Sequence, residues 1–272
     1  MMQYLYLGRV DYGQALALQQ EVVELRHAGR IANTLLLLEH PPVLTLGRNA
    51  QRANILASDE MLARKGVTVH EINRGGDVTY HGPGQLVGYP IFDLRSLFNV
   101  TGARLGPVDY VRRVEEALIR LCAGYGVLTG RVAGRTGVWT QGVQERKIGA
   151  IGVHVSRGIT SHGFALNVTT DLRDFQWIVP CGIADREVTS LEAEISDSQR
   201  LPTLEQVADA AARCFGQVFG QPVLAVESLE ALRAASSAPP DVAQTGVPMR
   251  VPQEVERLID PGADPAARPV RV

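Results

Sequence analysis

Lysine is almost missing from this chain: Lys65 and Lys147 stand against 25 arginines. Cysteine is scarce as well, with three in 272 residues and no C-x-x-C spacing. That scarcity excludes a disulfide framework and a zinc ribbon. Long apolar runs are absent. The longest purely aliphatic stretch is LLLL at residues 35–38, far short of the ~20 residues a membrane-crossing helix needs. No charged-then-apolar leader shows in MMQYLYLGRV. A dominant sign of charge is missing too. The net charge of −2 gives no general attraction to nucleic acid or to a membrane surface. A cytoplasmic protein with no nucleic-acid or membrane partner is expected. A chain of 29.5 kDa that is 45% hydrophobic and 21% charged has the length and composition for a substantial core.

The two lysines read differently. Lys65 follows Arg64 just before Gly66, as cations do at a helix C-terminus. Lys147 has no such structural explanation. A chain that uses arginine for its surface cations keeps lysine where a proton must be lost at accessible cost.

The pattern is mixed α and β, without internal repeats. ANTLLLLEHPPVLTLGR reads as buried strand, turn and strand. Ser58 opens a short helix that closes at Gly66. VTVHEI and QLVGYPIFDL read as strands. Pro107 starts a helix that Gly126 stops, with Val111, Val114, Leu118 and Cys122 on one face. A β-hairpin is expected from a strand near Val138 and Trp139, a turn at Gly142 and a strand from Lys147 to Val155. SHGFALNVT follows as a strand. A long helix should run from an N-cap at Thr203 to about Phe219, with PVLAV and a helix from Ser228 after it. The division expected is a catalytic domain over 1–233 and an Ala/Pro-rich extension over 234–272, peripheral or partly disordered.

Three segments carry candidate chemistry. Cys122 and Cys214 share helical apolar stripes and read as small core hydrophobes. Cys181 lies off any periodic segment, between Pro180 and Gly182. It is either a substrate-facing thiolate or a buried loop thiol without a task. A reactive thiol needs a nearby cation or base. His81, His154, His162 and Lys147 are the candidates: His154 in mid-strand alternation, His81 and His162 in glycine-flanked turns, Lys147 at the mouth of its strand. The third segment, RGGDVTYHGPGQLVGYP, keeps Arg74, Asp77, Tyr80 and His81 among its glycines. It fits neither a P-loop nor a dinucleotide fingerprint. It reads as a binding loop whose backbone lies against a ligand, rather than as a plain turn.

With those residues in view, the chain resembles the octanoyltransferases of lipoate biosynthesis, the octanoyl-acyl-carrier-protein:protein N-octanoyltransferase family. RGGDVTYHGPGQLVGYP, then GVW with KIGAIGVHVSRGITSHGFALNV, then FQWIVPCGI with VTSL occur in the family's order. They span roughly Leu35 to Leu191. The resemblance implies an α/β (α+β) fold, a mixed β-sheet with flanking helices, like the lipoate-ligase and biotin-ligase catalytic domains. It implies a cysteine–lysine pair: Cys181 as acyl-accepting thiol and Lys147 as the residue that lowers its pKa and moves protons. It also implies a substrate site lined by Arg74, Gly75, Gly76, Asp77, Val78, Thr79, Tyr80 and His81, by Ala150, Ile151 and Gly152, and by Gly163, Phe164 and Ala165.

The implied donor is octanoyl-acyl carrier protein. The implied acceptors are lipoyl domains of 2-oxoacid dehydrogenase complexes and the glycine-cleavage H protein. No metal or other cofactor is expected, because a thioester arrives already activated. Arg48 and Arg52 are candidates to dock acidic carriers, although an ordinary solvated arginine is the better reading of each. Three rival readings remain: an ATP-dependent ligase on the same fold, a non-catalytic carrier-binding module, and a Cys–His–Asp hydrolase.

Overall fold

The computed structural model describes residues 1–142, 144–179, 187–196 and 201–237. The extension assigned to 234–272 therefore lies, from 238 onward, outside the described residues, and so does Cys181. Met1–Ser237 forms one compact unit.

Among the described residues, eleven strands make two sheets. In chain order the elements are β1 (Met2–Arg9), α1 (Tyr12–His27), β2 (Asn33–Glu39), β3 (Val43–Leu46), α2 (Asp59–Arg64), β4 (Thr68–Glu71), β5 (Val78–His81) and β6 (Gln85–Ile91). They continue with α3 (Pro107–Gly124), β7 (Thr129–Val132), β8 (Arg135–Thr140), β9 (Lys147–Ser156), β10 (Ile159–Asn167), α4 (Leu191–Glu194), α5 (Leu204–Phe219), β11 (Val223–Ala225) and α6 (Leu229–Ser237). The eight-stranded sheet has the order β11-β1-β2-β6-β10-β9-β8-β7, and a three-stranded sheet has the order β4-β3-β5. β1 pairs in parallel with β2 and β11, while β6, β10, β9 and β8 run antiparallel to their neighbours. This is the mixed sheet expected from the sequence.

The LLLL run shows why the large sheet is central. Successive strand side chains point to opposite faces. Leu35 and Leu37 enter the core under α3 and α5, whereas Leu36 and Leu38 enter the core under α1. All four are fully buried. A strand covered on both faces loses its polar alternation and reads as a continuous apolar run. At about 1.5–3 kcal/mol for each fully buried leucine, these four side chains make β2 a principal anchor.

The helices follow local signals. Pro107 sits in the first turn of α3, where its fixed φ suits the helix and its missing N–H costs nothing. Thr203 caps α5 in a reciprocal capping box with Gln206, and Gly220 ends it at φ 64°. α3 and α5 pack on one face of the large sheet, with Phe92 edge-on to Phe219 at 5.1 Å. α1 and Leu232 of α6 cover the other face. Among the described helices none is long and apolar enough to cross a membrane.

Cys122 is buried in the α3–α5 core, where burial pushes its thiol up to about 12, and burial raises Cys214 too. Both are packing residues, as their stripes suggested.

Three local expectations change. The stretch read as one binding loop contains β5, which pairs with β3 through Val43–His81 and Leu44–Tyr80. Tyr80 therefore alternates into the small-sheet core, a period that the surrounding glycines mask. His162 does not sit in a turn. It lies within β10, opposite Val153, with φ 55°. The first thirty residues, which carried no assignment, form β1 and α1. The usable signal there was Asp11, whose carboxylate accepts from the N–H groups of Gly13 and Gln14 as an N-cap.

Candidate active site

Along one face of β6, β10 and β9 runs a cleft. Small residues floor it, Ala150 and Gly152 from β9 and Gly163 and Ala165 from β10; Ile151 and Phe164 line it too but send their side chains into the α3–α5 core. Arg74, Gly75, Gly76, Thr79 and His81 close it from the small sheet, Tyr12 and Tyr89 from the side, and Lys147 reaches it from the start of β9. The structure therefore brings together residues of the first two segments that the resemblance pointed to; of the third, residues 180–183 around Cys181 lie outside the described residues.

Arg74 holds the covering loop in place. Its guanidinium donates to Thr45 O at 2.6 Å, to Thr45 Oγ1 and to Gly75 O. The loop docks on the floor where the Gly75 N–H donates to Val153 O at 3.0 Å. Glycine is required at that seam. A Cβ on Gly152 would sit 2.8 Å from Gly75 O and 3.1 Å from Arg74 Cδ. The glycines of this site thus let two backbones approach each other.

Three expected binding residues do not line the cleft. The Asp77 carboxylate accepts from Val78 N, Gln51 N and Asn54 Nδ2, organising the segment after β3. Val78 is buried in the small-sheet core. Tyr80 turns its hydroxyl to Asp174 at 2.6 Å and packs edge-on to Phe175 and Trp177.

His81 belongs to a directional relay. Thr189 O can only accept, so it takes a hydrogen bond from Asn167 Nδ2 at 2.9 Å. Asn167 Oδ1 then accepts from Gln85 Nε2 at 2.9 Å, and Gln85 Oε1 accepts from His81 Nδ1–H at 2.7 Å. This leaves Nε2 of His81 as an acceptor. A second pair lies beside it. His40 donates from Nδ1 to Val10 O at 2.7 Å and accepts the Tyr89 hydroxyl at Nε2, also at 2.7 Å. Tyr12 packs against this group, its ring tilted at 5.0 Å from those of His40 and His70. Sequence inspection missed His40, Tyr12 and Tyr89. Only the pairing of β2 with β6 and the placement of α1 assemble them.

Burial keeps these imidazoles neutral. It lowers His40 to about 4, and lowers His81 to about 3 with help from His40 and Arg74. It lowers His162 to about 4, with Arg74 and His154 adding to it. The unfolded chain takes up these protons near pH 6.5, but the folded chain resists them down to pH 3–4. Stability is therefore complete above about pH 7 and falls as pH drops from 6.5 toward 4. Each histidine contributes up to about 1.4 kcal/mol per pH unit. Urea midpoints measured from pH 7.5 to 4.5 are expected to fall most steeply below pH 6. A flat profile would show that the imidazoles are solvated.

Lys147 is held at both ends. Its backbone N–H donates to Glu187 O and its carbonyl accepts from Thr189 N, each at 2.9 Å. Its ammonium lies 5.1 Å from the centre of the Trp139 ring, a favourable cation–π distance. Gly137 makes room for its stem. With φ 125°, a Cβ there would meet Gly149 O at 2.6 Å and Lys147 Cε at 2.9 Å. The Gly137 N–H is fixed from below by the buried Glu115 carboxylate at 3.1 Å, which also pairs with Arg112 and Arg131. Gly137→Ala is expected to cost about 2–4 kcal/mol and to lower turnover by displacing Lys147. A melt and a turnover rate that both match wild type would mean that Gly137 does not seat the lysine.

Comparison with known proteins agrees with this geometry. The lipoyl protein ligase A/B catalytic domain matches residues 11–216. A curated octanoyltransferase of Acidobacterium capsulatum is 70% identical over 229 residues, 82% of this chain and 92% of that protein. The chain belongs to the octanoyltransferase family. A second octanoyltransferase, from Koribacter versatilis, is 54% identical over 258 residues, covering 95% of this chain and 97% of the other. A solved bi-partite lipoate protein ligase from Thermoplasma acidophilum superposes with a TM-score of 0.65 at 16% identity, over 87% of this chain and 91% of that one. At that identity the likeness is one of fold. Membership in the octanoyltransferases makes this chain an acyltransferase that moves octanoyl groups in protein lipoylation.

Proposed function

We propose that the chain transfers the octanoyl group of octanoyl-acyl carrier protein to a lysine ε-amine on lipoyl carrier domains, through a thioester on Cys181. The carriers meant are the lipoyl domains of 2-oxoacid dehydrogenase complexes and the glycine-cleavage H protein. The observation that carries the reading is the backbone clamp between Lys147 and Glu187–Thr189. It ties the one cleft-lining lysine to the chain that follows the Cys181 segment. On the other side of that segment, Val179 donates to Asn54 O at 2.8 Å. Cys181 itself is outside the described residues, and its role rests on the PCG motif.

In this reading the Cys181 thiolate attacks the thioester carbonyl. The C–S bond to the carrier breaks, and Lys147 protonates the departing thiolate. The acceptor amine then attacks the acyl-enzyme and gives up a proton to Lys147, and the amide forms as Cys181 leaves. The alkyl tail lies along the floor of small residues, where each buried methylene contributes about 0.8 kcal/mol. His40, His81 and His162, neutral at physiological pH, do not compete with Lys147 as cations for the thiolate.

The test is an intact-mass spectrum after mixing with octanoyl-acyl carrier protein, without acceptor or ATP. One octanoyl adduct, mapped to Cys181, is expected. An unmodified protein with the carrier thioester intact would overturn the acyl-enzyme and favour an ATP-dependent ligase or a binding module. Release of free octanoate, with Lys147 dispensable, would favour a hydrolase.

A further inference from the structure

The cleft has two ends, and they differ in kind. Lys147 stands at one. At the other stands His162, opposite Val153 in the β9–β10 ladder. Beyond His162, on the same two strands, lies a second groove. Leu16, Gln19 and Val23 of α1 line it, with His154, Ile159 and Ser161 of the strands. His162 lines both spaces, which places this residue between them.

That residue is lightly fixed. His162 Nε2–H donates to Asn73 Oδ1 at 2.8 Å, and Nδ1 is buried without a partner. Its backbone N–H donates to Gln19 Oε1 at 2.9 Å. The φ of 55° places this side chain in the left-handed region, where a non-glycine residue is disfavoured. A strained backbone that carries an imidazole across a continuous trough suggests that the ring has a task.

We infer that His162 is the stop that sets acyl-chain length: its ring ends the cleft at an eight-carbon tail and seals it from the groove behind. The inference rests on the reading above, which puts the reacting carbonyl at Lys147. The six residue steps from Lys147 to Val153 span roughly 20 Å, of which the lysine stem and thioester take about half, and an extended octanoyl tail needs roughly 9 Å. A longer chain meets the imidazole. Without the ring, the next methylenes enter the groove, and each one buried is worth about fourfold in kcat/KM.

The test compares octanoyl-, decanoyl- and dodecanoyl-acyl carrier protein as donors to a lipoyl domain, with wild type, His162→Gly and Asn73→Ala. Glycine suits φ 55° and keeps the N–H bond to Gln19, and a melt checks that the variant folds. The dodecanoyl-to-octanoyl ratio of kcat/KM is expected to rise about 100-fold in His162→Gly and about 5-fold in Asn73→Ala, where the ring loses its tether. A ratio within twofold of wild type in folded His162→Gly would overturn the inference. So would loss of transfer with every donor, because His162 would then serve the chemistry. If His162→Gly does not fold, an unchanged ratio in Asn73→Ala overturns it. Wild type that transfers no octanoyl group would instead bring down the reading of the site, and this inference with it.

Discussion

Cys181→Ser is expected to lower octanoyl transfer by about 10⁴-fold or more, the scale seen when a covalent nucleophile is removed. Serine keeps the size of the side chain but not a group that ionises near neutral pH. The variant should still bind octanoyl-acyl carrier protein and gain no octanoyl mass. Binding, adduct and turnover together separate three mechanisms. An ATP-dependent ligase would be indifferent to the change unless the thiol were structural. A binding module would show unchanged affinity and no turnover in wild type either. A variant that kept its octanoyl adduct would place the acyl group on another residue and remove Cys181 from the mechanism.

Lys147→Arg carries the second large effect, a loss of about 10²–10⁴-fold, the usual range for a general acid–base group. The positive charge survives the change, but the exchangeable proton does not. Geometry adds to the loss. The lysine stem fits against Gly137 with no space for a side chain there, and its ammonium faces Trp139. A planar guanidinium is larger and prefers forked partners. The informative readout is kcat/KM of the folded variant beside wild type, where the loss should fall in that range. If Lys147→Arg retained near-normal turnover, another group would be moving the protons. The imidazoles at the cleft are poor substitutes, because burial holds His81 near 3 and His162 near 4.

Much of the secondary structure was legible from local signals. Ser58 and Thr203 cap their helices, Pro107 opens α3, and Gly220 closes α5. Arg157 and Gly158, at φ 50° and 82°, make the tight turn between β9 and β10. Each of these depends on a few neighbouring dihedrals, so a short window suffices. β5 was not legible in the same way. Its four residues lie between glycines, and their strand character comes from pairing with β3, about thirty-five positions away. α1 had a usable cap but mixed its apolar and polar residues too evenly to stand out.

The functional site divides along the same line. Composition singled out Lys147 among a surface of arginines, because residue chemistry is a property of the residue itself, while only the family resemblance chose between the two readings of Cys181, which lies outside the described residues. The burial of β2 could be read as well, because a strand covered on both faces is apolar throughout, whereas the mixed sheet came with the family resemblance. Register decided the rest. It turned Asp77 and Tyr80 away from the cleft, closed His40 onto Tyr89, drew Lys147 against Glu187 and Thr189, and set His162 between two cavities. These are contacts between strands and loops remote in sequence. A one-residue slip would send each side chain to the other face, and nothing local to any one of them says which face it takes.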